Sequence, residues 1–385
     1  MRVTVSVQGK FHAYYLAQQL QRFDLLHRLV TTYPRFHVAK YNIDSRLVRG
    51  LIPFNVMSRL ARKMIMDSNL RSRINTNINV VFDRVVPRFV PTDTDLFIGW
   101  SSGCLHSLRW AQERGMKTMV VRGSTHIQNQ LRVLQEENEK WGIKTELPAP
   151  QVVAREIEEY AVADYIYNQT PHVKRTFLQA GVPESKIIQF PTGVDISRFQ
   201  PEDKRDNVFR IIFCGALSLR KGLIYLLQAF EKLQLSHAEL VIVGGSFKEM
   251  LDFFKPYFGD NIIYKGSVSF SQVCHEMNQG SLFCFPSLEE GQAAVLAQAM
   301  ACGLPLIATK ESGAEVFIND GQEGFLVPSC DVDAIAEKLL WAYENQEVLK
   351  IMGQKALKRI KQGYTWDHYG QNMKRAVTHI GASQL

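Results

Sequence analysis

Two successive series of short apolar runs, each run followed by a helix-like segment, leave few folds open to this chain. In the first series RVTVSV (2–7), LLHRLVTTY, DLFIGW, MKTMVV and KIIQF read as strands. In the second, FRIIFCGAL, AELVIVGG, NIIYKGSV, SLFCF, LPLIAT and GFLVP do the same. Continuous apolar runs of this length suit parallel strands covered on both faces. Between them lie helical patterns: FHAYYLAQQLQ, with Phe11, Tyr14, Tyr15 and Leu20 as its apolar positions, SSGCLHSLRWAQERG, HVKRTFLQAGV, LRKGLIYLLQAFEKL and DVDAIAEKLLWAYEN. Strand–helix alternation run twice implies an α/β fold of two doubly wound domains facing a cleft. At 385 residues the chain exceeds what one core serves, and the polar PEDKRDN (Pro201–Asn207) marks the join. The expected division is 1–200, 201–365, and a last helical segment, 366–385, crossing back to the first domain.

The stretch Pro286–Pro305, PSLEEGQAAVLAQAMACGLP, concentrates the chemistry. Strand, turn and helix N-terminus follow one another there, which presents backbone N–H groups to a phosphate. Glu290 and Gln298, eight residues apart, stand about 12 Å apart if one helix carries both. A plain crossover helix of small residues also fits this stretch. The first strand is followed by Gly9, but no GxGxxG follows it and no GxxxxGK[ST] occurs anywhere, which removes the dinucleotide and P-loop warrants. His12 can face the cleft or pack. His126, in the loop Arg122–His126 beyond a strand's C-terminal end, sits where open α/β sheets hold ligands; a satisfied structural histidine is the alternative. The polar stretch from Gln128 to Pro150 reads as a mobile or acceptor-side segment.

Charge is uneven. Between Arg28 and Arg88 stand twelve bases and three acids, a local +9 in a chain of +7. Such a field calls for an anionic partner. RLVRGLIPFNVMSRLARKMIM, within the basic region 44–73, interleaves Leu47, Leu51, Ile52, Val56, Met57 and Leu60 with arginines, as a segment lying on an anionic membrane does. A solvated basic face is the alternative, and Pro53 interrupts any single long helix. No stacking platform of aromatics supports nucleic acid. Six scattered cysteines without a CxxC pair read as reduced core residues, not as a metal site or disulfide frame. The start lacks a signal peptide's apolar core and no run of 18 apolar residues occurs, so the expected place is the cytoplasm, against the inner face of the membrane if the basic region binds it.

Taken together, PTGVDISRF, GALSLRKG, EGQAAVLAQAMACGLPLIAT and GQEGFLVP resemble, in order, the motifs of the retaining, nucleotide-sugar-dependent glycosyltransferases of family four, which have the GT-B fold of two Rossmann-like domains. The resemblance is strongest from about Phe190 to Pro328. It implies that Glu290 holds the donor sugar and that Gln298 stands where the family has a ribose-binding glutamate, an uncharged substitute that still accepts and donates hydrogen bonds. The family's Gly-Phe-Gly is Gly291-Gln292-Ala293 here, which puts an amide near the sugar. Ala216 replaces a frequent arginine, leaving Arg220 and Lys221, flanked by Gly215 and Gly222, to meet the diphosphate, with N–H groups of Gln292, Ala293, Ala294 and Val295 assisting. His126 matches a histidine beside the reacting sugar, and Gly9 a first-loop glycine that leaves room for a substrate. Asp195 reads as a turn residue, and Glu156 and Glu158 as packing or closure residues.

The implied activity is glycosyl transfer from a nucleotide diphosphate sugar to a lipid-linked or polysaccharide-precursor acceptor of the cell envelope, with retention, without a metal and without a cofactor. A sugar-nucleotide epimerase or phosphorylase is a second enzymatic alternative. A non-catalytic nucleotide-sugar-binding subunit is a third, kept open by Gln298, Ala216 and Ala293.

Overall fold

A computed structural model describes residues 1–65 and 67–382. Strands β1 (Val3–Val7), β2 (Leu26–Thr31), β3 (Val48–Gly50), β4 (Leu96–Trp100), β5 (Lys117–Val121), β6 (Tyr165–Asn168) and β7 (Ile187–Gln189) form one sheet, in the order β3-β2-β1-β4-β5-β6-β7. A second sheet, β10-β9-β8-β11-β12-β13, is built from β8 (Phe209–Cys214), β9 (Ala238–Val243), β10 (Ile262–Gly266), β11 (Leu282–Phe285), β12 (Leu306–Thr309) and β13 (Gly324–Val327). Every pairing between these strands is parallel. Strand order reverses between β1 and β4 in the first sheet and between β8 and β11 in the second. Those two switch points are where open α/β sheets leave a crevice beyond the strand ends.

The fold departs from the sequence expectations at several places. Edge strand β3 lies inside the basic region 44–73, ahead of its first α-helix. As expected, no single helix runs through Pro53; it occupies the first turn of the helix Ile52–Met64, where a missing N–H costs nothing. Met66, the last residue of that apolar-basic run, lies outside the described residues. Phe11 is not a core position of the first helix, which begins at Ala13; its ring is largely exposed, with positive φ. The polar stretch after His126 is an ordered helix, Ile127–Trp141, closed by Gly142 in the left-handed conformation.

The hydrophobic handover between domains comes before Pro201. Phe190 packs on the first domain's core, whereas Val194 and Phe199 already belong to the second. The helix Trp366–Ala382 returns to the first domain: Tyr369, Met373, Val377 and Ile380 are buried in its core. Trp366 stacks on Tyr15 at 4.0 Å, and Arg22 donates to Asp367 over 2.5 Å. Residues 383–385 of the predicted final segment lie outside the described residues. Of the cysteines, all free, four are buried, Cys214 is half-buried and Cys330 is exposed, so Cys330 is no core residue.

Candidate active site between the two sheets

The site begins where β11 ends. Its hydrogen bonding stops at Phe285, and Ser287–Ala293 forms a loop before the helix Ala294–Ala301. Glu290 therefore precedes the helix, so the 12 Å axial spacing to Gln298 does not apply. Gly222 makes the loop's other wall. It sits at φ +69, where side chains are strained, and a Cβ on it would overlap the Pro286 carbonyl. That close approach brings Arg220 and Lys221 onto the two acids. Arg220 Nη1 donates to the Glu289 carbonyl over 2.8 Å and lies 3.2 Å from both Glu289 Oε2 and Glu290 Oε1. Lys221 pairs with Glu290. Burial works against both cations. Glu290 and Glu289 more than offset it for Arg220, which is raised, while Lys221 is left below the ordinary lysine range.

Glu289 was passed over in the sequence, and it is the most heavily bonded carboxylate of the site. It is fully buried and reaches into the first domain. There it accepts from Ser124 Oγ, from Thr125 N and Oγ1 at 3.0 and 2.7 Å, and from Gln130 Nε2 at 3.2 Å. Burial opposes its charge, yet Arg220 and the Ser124 and Thr125 donors hold its carboxyl below the usual range. The network continues: Arg122 Nη2 donates to Gln130 Oε1 over 2.8 Å, and Arg122 Nη1 to Glu156 over 3.1 Å. Glu156 in turn accepts from Ser102 Oγ and Tyr160 OH. Buried polar groups thus run without interruption from the crevice of one sheet to that of the other. The sequence signal for Glu289 was only its place beside Glu290. Which of two adjacent acids turns inward is set by the partner domain.

The loop also docks by backbone. Gly291 lies so close to the Gly123 carbonyl that a side chain would collide with it, and its own carbonyl accepts from Thr170 Oγ1 over 3.0 Å. Gln292 does not offer its amide to a sugar. Oε1 accepts from Thr192 N at 2.8 Å and Nε2 donates to Thr192 O at 3.1 Å, which ties the loop to the interdomain crossing. Ala293 N–H is likewise engaged, donating to Ser312 O over 3.1 Å. In the helix's first turn, Ala294 and Val295 are N–H groups with no carbonyl a turn earlier.

Two cavities flank the loop. One of about 620 Å³ is lined by Gly123, Ser124 and Gln130 of the first domain and Ser218, Arg220 and Glu290 of the second. Another of about 380 Å³ holds Ala294 and Gln298 with Lys10, Tyr41, Asp195 and Arg198. Glu290 and Gln298 therefore open onto different cavities. Gly9 lines a third, in the first domain. The predicted Gly215, Lys221, Gly222, Gly291, Gln292, Ala293 and Val295 support the site from behind and line none of the three. Asp195 is the turn residue expected, accepting from Ser197 N at 3.0 Å.

His126 is not brought to either cleft cavity. It is 3% exposed, wedged against Tyr160 and Phe177 with ring centroids 5.0 Å away in both cases. Its Nδ1 caps the following helix, accepting from Gln128 N over 3.3 Å. Burial, aided by Arg122, lowers its pKa to about 4, so the ring is neutral. The structural alternative is the one the geometry carries. His12 is also inward, against Trp100 at 5.2 Å.

Residues 195–359 match the family model described as glycosyl transferases group 1. That segment is a group 1 glycosyl transferase domain. The chain is 26% identical over 57% of its length to an uncharacterized glycosyltransferase of Methanocaldococcus jannaschii, covering 59% of that protein. It is 25% identical over 59% of its length to the GDP-mannose-dependent monoacylated alpha-(1-6)-phosphatidylinositol monomannoside mannosyltransferase of Corynebacterium glutamicum, covering 65% of it. The chain thus spans roughly half to two thirds of the curated relatives it matches. The whole fold is similar to sucrose-phosphate synthase of Thermosynechococcus elongatus, with a TM-score of 0.68 at 16% identity and full coverage of both chains. It is equally similar to HepE of Anabaena in complex with UDP and glucose, with a TM-score of 0.68 at 14% identity over 98% of this chain and 100% of that one. The group 1 glycosyl transferase domain and the sheet before it therefore form the GT-B architecture.

Proposed function

We propose that the protein transfers a glycosyl group from a nucleoside diphosphate sugar to a lipid-linked or polysaccharide-precursor acceptor, with retention at the anomeric carbon. The observation that carries this reading is the pairing of Arg220 and Lys221 with Glu289 and Glu290 at the second sheet's switch point. Arg220 on the cavity wall, with Lys221 behind it on Glu290 and a helix start following the loop, suits a diphosphate, whose charge grows as the sugar departs. Glu290 lines the adjoining cavity, and in this reading it holds sugar hydroxyls. Gln298 lines the cavity on the other side of the loop, and in this reading it holds the ribose. The departing phosphate oxygen accepts the acceptor's proton, which avoids a separate base. Since protein groups meet the diphosphate's charge, turnover is expected to proceed without a divalent ion. The HepE complexes with UDP and the GDP-mannose relative support a nucleoside diphosphate donor. Among the described residues no helix is long and apolar enough to cross a membrane; in this reading the basic region 44–73, with its local excess of positive charge, makes the contact with a lipid acceptor.

The test is binding and turnover of UDP-, GDP- and ADP-sugars with EDTA present, for wild type, Glu290→Ala and Lys221→Ala. Turnover of one donor that survives EDTA and collapses in both variants supports the transferase. Tight binding without turnover on any acceptor lipid supports a nucleotide-sugar-binding subunit instead. Failure of every donor to bind overturns both.

A further inference from the structure

The first sheet has its own crevice, separate from the donor-side machinery. A cavity of about 530 Å³ lies beyond β1, β2 and β4, with Gln8, Arg59, Arg62, Asn75, Trp100 and Ser102 among its lining. Three of these residues carry buried polar atoms with no hydrogen-bond partner: Gln8 Oε1, Asn75 Oδ1 and Trp100 Nε1. Two acceptors and one donor left open in one cavity ask for a ligand rich in hydroxyl groups, because unpaired buried polar groups are rare and costly. Trp100 is 7% exposed, so its N–H has little other outlet.

Arg59 and Arg62 stand at the rim of this cavity, and no carboxylate pairs with either among the described residues. Arg59 lies over the Tyr33 ring, 5.9 Å from its centroid; two guanidinium groups without a carboxylate above a polar cavity match a phosphate ester. The cavity wall is held rigid. Ser102 is a non-glycine residue at φ +70, and two buried carboxylates clamp it: Glu156 at its hydroxyl and Glu159 at its N–H, over 2.7 Å. Left-handed backbone at a serine persists only where its surroundings enforce it.

The helix Ile52–Met64 connects this cavity to the surface. Asn55, Ser58, Arg59 and Arg62 line the cavity, while Ile52, Val56, Leu60 and Met64, four residues apart in turn, form an exposed apolar stripe. Only Ala61 of this helix is buried. An exposed apolar stripe bordered by bases, in a region of net +9, is complementary to an anionic bilayer.

We infer that this cavity binds the phosphate-bearing polyol headgroup of a membrane lipid, with Arg59 and Arg62 on the phosphate, Gln8, Asn75 and Trp100 on the hydroxyls, and the Ile52–Met64 stripe in the bilayer that keeps the tails. The inference deepens the glycosyltransferase reading by naming the acceptor's chemistry, and it rests on that reading only for the word acceptor.

Vesicle flotation with the full chain tests it, using phosphatidylcholine alone, with phosphatidic acid, and with phosphatidylinositol. Phosphatidylinositol is expected to bind best and phosphatidylcholine least. Arg59→Gln with Arg62→Gln should weaken binding to both anionic vesicles about 30-fold, at about fivefold per charge near the surface. Asn75→Ala should erase the preference for phosphatidylinositol over phosphatidic acid and leave phosphatidic acid binding unchanged. Leu60→Ser with Met64→Ser should weaken all vesicle binding while soluble inositol 1-phosphate still binds by calorimetry. Equal binding of the two anionic lipids, or inorganic phosphate competing as well as inositol 1-phosphate, would overturn the headgroup site and leave a plain anion patch. Donor binding, measured separately on the same preparations, distinguishes this failure from failure of the transferase reading.

Discussion

Replacing Glu289 by Gln keeps the side chain's shape and removes its charge. In the structure that carboxylate accepts from Ser124, Thr125 and Gln130 and faces Arg220 at 3.2 Å, all with no exposure to solvent. The amide carbonyl that remains can keep the acceptor contacts of one carboxylate oxygen, but the new NH₂ turns a donor either toward Arg220 and Gln130 Nε2 or toward the Thr125 N–H, all of which only donate. Hydrogen bonds to a charged group are worth about 1.5–3 kcal/mol each, and breaking a buried ion pair costs about 3–5 kcal/mol. Arg220 retains Glu290 and the Glu289 carbonyl, so the expected loss for Glu289→Gln is toward the low end, about 2–3 kcal/mol. Because the contact joins the two domains, the loss should appear as weaker docking of the loop. A donor KM raised about 30-fold or more is expected, alongside lower stability in urea. The pH dependence supplies an independent check. The folded pKa of Glu289 is depressed, so its contribution is fully present above the ordinary value of 4.5 and is lost as pH falls through the lower folded value. The stability gap between wild type and Glu289→Gln should therefore be constant above about pH 5 and shrink below 4.5. A gap that is absent at neutral pH, or that does not close in acid, would refute the assignment of Glu289 as the charged link between the domains.

Other outcomes follow from single contacts. Gly222→Ala forces a Cβ into the Pro286 carbonyl at a left-handed backbone position, so donor binding by calorimetry should fall below detection while the helical circular dichroism is retained. Gln292→Ala removes both hydrogen bonds to Thr192; a loss of about 1–2 kcal/mol is expected in denaturant titration, with less effect from Gln292→Glu, which keeps the acceptor. His12, His126 and His172 are each held near a pKa of about 4, chiefly by burial. Their folded values lie below the unfolded 6.5, so stability should hold above pH 6.5 and decline between 6.5 and about 4 as the unfolded chain takes up protons first. Scanning calorimetry across that window would show it. His126→Asn, which keeps a helix cap, should lower stability more than it lowers turnover.

Much of this protein is determined by local sequence. Apolar runs such as Leu282–Phe285 have the length and composition of strands covered on both faces, and nothing distant is needed to read them. The order of motifs from Pro191 to Pro328 likewise carried the resemblance to the GT-B glycosyltransferases, and through it the nomination of Arg220, Lys221 and Glu290; the sheet topology is what puts them at one switch point. Edge strand β3, only three residues long, exists because Val48–Gly50 finds β2 beside it, and its own residues carry no strand signal. Tertiary structure alone decided the orientation of polar side chains. Glu289 rather than Glu290 entered the first domain because Ser124, Thr125 and Gln130 stood ready to solvate its charge there. His126 turned from the cleft because Tyr160 and Phe177 offered an aromatic slot and Gln128 an N–H to cap. Gln292 left the sugar side for the Thr192 backbone. Periodicity reports which residues avoid water, since that preference is a property of each side chain. A hydrogen bond needs a partner at about 3 Å in the right direction, and for these residues the partner lies up to 165 positions away in the chain.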